Sequence, residues 1–240
     1  MTALLALSNV SKRFRGLIAV DGVSFTVPQG AMFAVIGSNG AGKTTLFNMI
    51  AGAMKPDGGA IVFAGQGVHG LTADAVCRRG IARTFQIVRP FPGLSVEDNV
   101  IIGALLHRPD VTAARGHAHE LLRRLDLFDK RHRIASTLTL PDRKRLEMAR
   151  ALATGPRLLL LDEVMAGLRP TETDRMVAIL KALNAEGLTI LLIEHVMRAV
   201  MALASHVLVL DHGVAIAEGS PEQVARDPAV VQSYLGVETV

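Results

Sequence analysis

Apolar and polar positions follow two periods along this chain, and the switch between them divides it into regions. Residues 4–10 alternate loosely and predict a strand, and residues 11–16 (Ser-Lys-Arg-Phe-Arg-Gly) predict a turn. Residues 23–27 alternate cleanly, as in a half-exposed antiparallel strand, and Pro28-Gln29-Gly30 closes it. Residues 32–36 (Met-Phe-Ala-Val-Ile) are wholly apolar, the pattern of a strand buried on both faces. Helical spacing follows over 45–51 and stops at Gly52; a strand at 60–63, a helix at 72–79 and a strand over 81–86 come next. Pro90, Pro92 and Gly93 then break the chain. Ser95 beyond them predicts an N-cap with an acidic first turn, and apolar residues recur at helical spacing over 113–127 and 144–153. Residues 90–156 therefore predict an all-helical insert. Alternation of strand and helix resumes: strand 158–161, helix 171–185 with Thr171 as its N-cap, strand 188–193, helix 196–204, strand 207–210. A hairpin turn at Asp211-His212-Gly213 leads into 214–217, and two short helices cover 221–226 and 229–235. Such alternation implies an α/β fold, with a mainly parallel sheet and helices on both faces.

Composition narrows this picture without changing it. At 240 residues, half of them apolar, the chain is long enough for a substantial core. Few aromatics and no Trp suit an aliphatic α/β interior better than a sugar- or base-stacking surface. The formal charge of +4 is modest. Its basic clusters (Arg123-Arg124, residues 130–133 and residues 143–145) read as solvated helix faces, so no nucleic-acid partner is expected. A single cysteine, Cys77, excludes a disulfide framework and a thiolate metal site. The first five residues lack the features of a signal peptide. No apolar run reaches the roughly 18 residues of a membrane span; residues 196–210 come nearest, and Arg198, Ser205 and His206 interrupt them. A membrane role would be played from outside the bilayer.

Chemistry concentrates after the apolar strand. Gly37-Ser38-Asn39-Gly40-Ala41-Gly42-Lys43-Thr44 has the P-loop spacing, between a strand and a helix. Its backbone N–H groups and the following helix N-terminus would face a phosphate. Lys43 would reach the β- and γ-phosphates, the Thr44 hydroxyl would bind Mg²⁺, and Thr45 completes the cradle. Four leucines then place Asp162 and Glu163 at the carboxyl end of a buried strand, where ligands sit in open α/β sheets. Asp162 would hold the Mg²⁺ shell and Glu163 would polarise the attacking water. Gln86, at a strand end before the helical insert, can accept from water and coordinate Mg²⁺. His195, again at a strand end, can donate to the γ-phosphate, and Phe14 can stack on adenine. ATP and Mg²⁺ are the expected ligands.

P-loop, Gln86, Asp162-Glu163 and His195, in this order and spacing, resemble the ATP-binding subunit of ABC transporters over nearly the whole chain. Residues 80–86, 149–163 and 227–236 look like the branched-chain amino acid importer subfamily. The resemblance implies one ABC ATP-binding domain over 1–240. Within it, 1–89 and 157–240 form a P-loop NTPase core with an N-terminal antiparallel β subdomain, and 90–156 form the helical signature subdomain. It implies ATPase activity at the cytoplasmic face of the inner membrane. The partners implied are a second ATP-binding subunit, integral membrane permeases that dock on the insert, and, indirectly, a periplasmic solute-binding protein. In the family, each ATP lies between one P-loop and the other subunit's signature loop, of Leu-Ser-Gly-Gly-Gln type. This chain has Leu138-Thr139-Leu140-Pro141-Asp142 there. Thr139 keeps the hydroxyl, Pro141 lacks an N–H, and Asp142 is expected to bring a negative charge near a phosphate. Val164 stands where Pro usually follows the Glu, and Arg169 where Asp or Asn is usual. The expectation is an asymmetric pair, with a competent P-loop half and a degenerate donated half: this favours a non-identical partner, with a homodimer of this chain as the alternative. The alternative is an ATP-binding regulatory or structural module with weak turnover.

Overall fold

The computed structural model describes residues 2–84 and 90–235. The chain opens with a long hairpin, β1 (Ala3–Phe14) and β2 (Leu17–Pro28). Strand β1 runs through the predicted turn as far as Phe14, and β2 begins six residues before the clean alternation does. Both extensions pair in the hairpin (Lys12 with Val20, Phe14 with Leu17), so main-chain bonding carries strand structure through a polar, outward-facing segment. The P-loop strand β3 (Met32–Gly37) and helix α1 (Lys43–Ile50) follow, then β4 (Gly58–Phe63), the short β5 (Gln66–Gly67), α2 (Ala73–Arg78) and β6 (Ile81–Arg83). After residue 90 come α3 (Val96–Ala104), α4 (Val111–Arg124) and α5 (Leu140–Ala153), separated by two turns of 3-10 helix at Phe128–Lys130 and Ala135–Thr137. The remainder is β7 (Leu158–Asp162), α6 (Pro170–Ala185), β8 (Thr189–Ile193), α7 (Met197–Leu203), β9 (His206–Asp211), β10 (Val214–Gly219), α8 (Pro221–Val224) and α9 (Pro228–Leu235).

Two sheets result. One is antiparallel, in the order β2-β1-β4-β5; the other has six strands in the order β10-β9-β3-β8-β7-β6, parallel except at β10. Strands β3, β7 and β8 are buried at every residue, as their unbroken apolar runs require. Alternate residues of these strands serve two cores. Phe33, Val35, Leu160 and Leu191 pack with α1 and the antiparallel sheet, while Ala34, Leu159, Leu161 and Leu192 pack with α3, α4, α5 and α6. The helices between β6 and β7 thus share a core with one sheet face.

Local caps explain several boundaries. Ser95 accepts from the Asp98 N–H and caps α3 as expected. Asp110 does the same for α4 through the Ala113 N–H. The N-cap of α6 is Arg169, not Thr171: Pro170 takes the first helical position, where its missing N–H costs nothing, and Glu172 accepts from the Arg169 N–H at 2.8 Å. Helix α5 also starts earlier than its apolar periodicity indicates. Thr139 is its N-cap, and Leu140, Pro141 and Asp142 form its first turn rather than a loop.

Candidate active site

The cradle forms where the carboxyl end of β3 meets the N-terminus of α1. Gly37 (φ +153°) and Gly42 (φ +98°) are required here. A Cβ on Gly37 would stand 2.2 Å from the Leu210 carbonyl oxygen, and one on Gly42 would stand 2.2 Å from that of Ala19. The loop is thereby pressed against β9 on one side and β2 on the other. Gly42 caps α1, and the first turn of that helix carries no acid, so its N–H groups and positive dipole end are available to an anion. Lys43 is buried and folds back on the loop, donating to the carbonyls of Gly37 and Ser38 at 2.8 Å each. Burial lowers its pKa, while the charges of Glu163 and Asp162 raise it. Ser38 donates to Asp211 at 3.3 Å.

A cleft of about 590 Å³ opens beside the loop, of a size that takes a nucleotide. It is lined by Asn39, Gly40, Ala41, Gly42, Lys43, Thr44 and Thr45, by Phe14, Leu17 and Ile18 from the hairpin, and by Glu163 and His212. Phe14 is 42 % exposed and lines the cleft, with the Lys12 ammonium 5.8 Å from its ring centre.

Asp162 ends β7, fully buried, with one carboxylate oxygen held by Arg83 at 2.7 Å. Its other oxygen, Oδ1, is buried and has no hydrogen-bond partner among the described residues. An orphaned carboxylate oxygen on a residue whose charge reaches Lys43 of the loop fits a divalent cation with oxygen ligands. Glu163 follows with φ +49°, a left-handed conformation costing a non-glycine residue on the order of 1–3 kcal/mol. Its carboxylate lines the cleft, 3.9 Å from Nδ1 of a half-exposed His195. That spacing is too long for a hydrogen bond but close enough for both groups to address one ligand. Gln86 lies outside the described residues.

The segment 138–142 stands apart from this cleft. Asp142 does not point outward as a free charge: it is 2 % exposed and receives Lys130 at 2.5 Å, Arg145 at 2.6 Å and the Thr139 hydroxyl at 2.9 Å. Burial works to raise its pKa, but the Lys130 and Thr139 hydrogen bonds, with the charges of Lys130 and Arg145, outweigh it and hold the carboxyl below its ordinary value. The expected repulsion of a phosphate by Asp142 is thus corrected, since its charge is cancelled inside the protein. What this first helical turn lacks instead is the Thr139 proton, already donated to Asp142, and an N–H at Pro141.

Residues 20–166 match the ABC transporter family, and residues 216–240 match the branched-chain amino acid ATP-binding cassette transporter family. The chain is 38% identical, over 97% of its length and 98% of the relative's, to the high-affinity branched-chain amino acid transport ATP-binding protein BraF of Pseudomonas aeruginosa. The chain belongs to the ABC transporter ATP-binding subunits. This ABC subunit is equally 38% identical to LivG of Escherichia coli, a protein of the same description, and 34% identical to the lipopolysaccharide export ATP-binding protein LptB of that organism over 98% of both chains. Its fold matches a nucleotide-free ATP-binding cassette and the ADP conformation of the cassette MJ1267, each with TM-score 0.90 and 31% identity over 98% of this chain and 100% of the other. ABC cassettes bind ATP or ADP and are ATPases. No helix among the described residues is long and apolar enough to cross a membrane.

Sequence reasoning named most of the cleft but missed three buried groups. Arg83 was signalled as the one charge in the buried strand β6, which must find a carboxylate. Glu194, fully buried, sits between the apolar run of β8 and His195. The run 143–145 reads in the sequence as a solvated helix face, which the structure corrects for two of its three residues: Lys144 and Arg145 are buried and turn inward, onto the Glu163 carbonyl and the Asp142 carboxylate.

Proposed function

We propose that this ABC subunit hydrolyses ATP to energise uptake of branched-chain or related amino acids or amides. It works in a pair with a second, non-identical ATP-binding subunit, bound to membrane permeases on the cytoplasmic face of the inner membrane and served indirectly by a periplasmic solute-binding protein. The observation that carries the asymmetry is the contrast between the P-loop cradle and the 138–142 segment. Relatives of the branched-chain importers, and the match at the C-terminal residues 216–240, support the solute class. Those relatives also count against a purely regulatory module.

The roles follow from position. The P-loop N–H groups and Lys43 bind and orient the β- and γ-phosphates, and Lys43 exchanges its two carbonyl partners for phosphate oxygens. Phe14 stacks on the base. Thr44 and Asp162 would hold Mg²⁺, with Gln86 as a further oxygen ligand; the ion supplies charge neutralisation at the phosphates. Glu163 accepts the proton of the attacking water, and His195 donates to the γ-phosphate from the same side. Thr139, Leu140 and the α5 N-terminus face the partner's nucleotide as the weak half-site. Co-purification of the chain from its native membranes with permease subunits and a second ATPase tests the assignment. Recovery of the chain alone, with no effect of its deletion on amino acid uptake, would refute it.

A further inference from the structure

Glu163 is held in a backbone conformation that a non-glycine residue keeps only where its surroundings over-determine it. Four hydrogen bonds do this. The Glu163 N–H donates to the Ile193 carbonyl at 3.0 Å. Its carbonyl accepts from the Ala166 N–H at 3.2 Å and from Lys144 Nζ at 2.8 Å. Two residues on, the Met165 N–H donates to Glu194 Oε1 at 2.9 Å. Lys144 is 6 % exposed and Glu194 fully buried, so water does not readily replace either bond if it is broken. Burial lowers the Lys144 pKa and raises that of Glu194, while the Lys144 and Glu194 charges partly offset these effects in each other.

These bonds do not all come from one layer. Ile193 and Glu194 belong to the sheet end that carries His195, but Lys144 lies in the second turn of α5, the helix whose first turn is the 139–142 segment. We propose that Lys144 is a positioning residue for hydrolysis. It fixes the Glu163 main chain, and through it the carboxylate, from the same helix that presents the signature segment to a partner. A displacement of α5 on engaging the partner's nucleotide therefore reaches this chain's own hydrolytic carboxylate through one buried ammonium–carbonyl bond, with Glu194 steadying the turn from the β8 side. The inference rests on the reading of Glu163 as the group that orients water.

The test uses the full chain assembled with the permease and second ATPase subunits that co-purify with it. Lys144→Met is expected to lower kcat about ten-fold or more while the Kd for ATP stays within about two-fold, and Lys144→Arg to restore most of the loss. The same substitution at the exposed Lys181 of α6 leaves kcat unchanged. Amide exchange at Met165 and Ala166 rises in Lys144→Met and returns toward wild type in Lys144→Arg. If Lys144→Met does not fold, Lys144→Gln, a shorter donor, carries the same expectations. The proposal is overturned if kcat is unaffected, if kcat and ATP affinity fall together without rescue by Arg, or if exchange at the two amides does not move. Glu163→Gln, measured in parallel, separates the two claims. An active Glu163→Gln removes the role of Glu163 and leaves the tether to the exchange data, whereas an inactive one beside a normal Lys144→Met removes the tether alone.

Discussion

Two helix N-termini of this molecule differ in the donors they keep for an anion. Helix α1 begins at a glycine, carries Lys43 in its first turn and no acid, and opens into a cleft of about 590 Å³. Helix α5 begins at Thr139, has Pro141 in its first turn, and spends its hydroxyl proton on Asp142. Both ends have the same dipole. What separates them is the number of donors left over: α1 keeps its own, and α5 has committed or lost two. A helix N-terminus is therefore an anion site only to the extent that its first turn leaves N–H and O–H groups unspent.

The largest effect is expected at the intact end. Glu163→Gln should lower ATP turnover by about 10²–10⁴-fold with nucleotide binding retained, as expected for loss of a general base; steady-state phosphate release measures it. Next in size is the buried network at the other end. Asp142→Ala leaves Lys130 and Arg145 without their shared carboxylate and should cost about 1–3 kcal/mol of stability, read by urea unfolding. Its pH dependence has a definite sign. The folded-state pKa of Asp142 lies below its ordinary 3.8, so its contribution is present above that value and is lost as pH falls through the lower folded value. Asp142→Asn should flatten that acid limb, and an unchanged limb would remove the assignment. Pro141→Gly restores one N–H to α5, and a helix-terminus anion contact of roughly 0.3–2 kcal/mol predicts a gain of about two- to thirty-fold in paired turnover. The smallest effect belongs to Phe14→Ala, which should weaken ATP binding by about 0.5–1.5 kcal/mol in a titration with labelled nucleotide.

Much of the α1 end was legible in the sequence because its chemistry is carried by contiguous residues. The apolar run of β3, the glycine spacing and Lys43 fix strand, loop and helix together. Asp162 and Glu163 were found in the same way, at the end of β7. The α5 end was less legible. Spacing along the chain locates Asp142, but whether it faces a phosphate or the interior depends on Lys130 and Arg145, one of which lies twelve residues away before the helix begins. The length of β1 escaped for a similar reason: Ser11, Lys12 and Arg13 have turn-like composition, and only pairing with β2 keeps them extended. Arg83 and Lys144 act on Asp162 and Glu163 across 79 and 19 residues of sequence; a charge in β6 signals that Arg83 needs a partner, but no local pattern names that partner.

The central claim is that this subunit's cradle is whole and its donated half-site is poor. Turnover per P-loop, measured for the purified chain alone and then with an equimolar second ATPase subunit carrying an intact glycine signature, tests it most directly. Hydrolysis by the chain alone is expected to be slow and non-cooperative, with a marked rise in the mixture that Lys43→Ala in this chain abolishes. Fast, cooperative hydrolysis by the chain alone, unchanged by the partner, would contradict it.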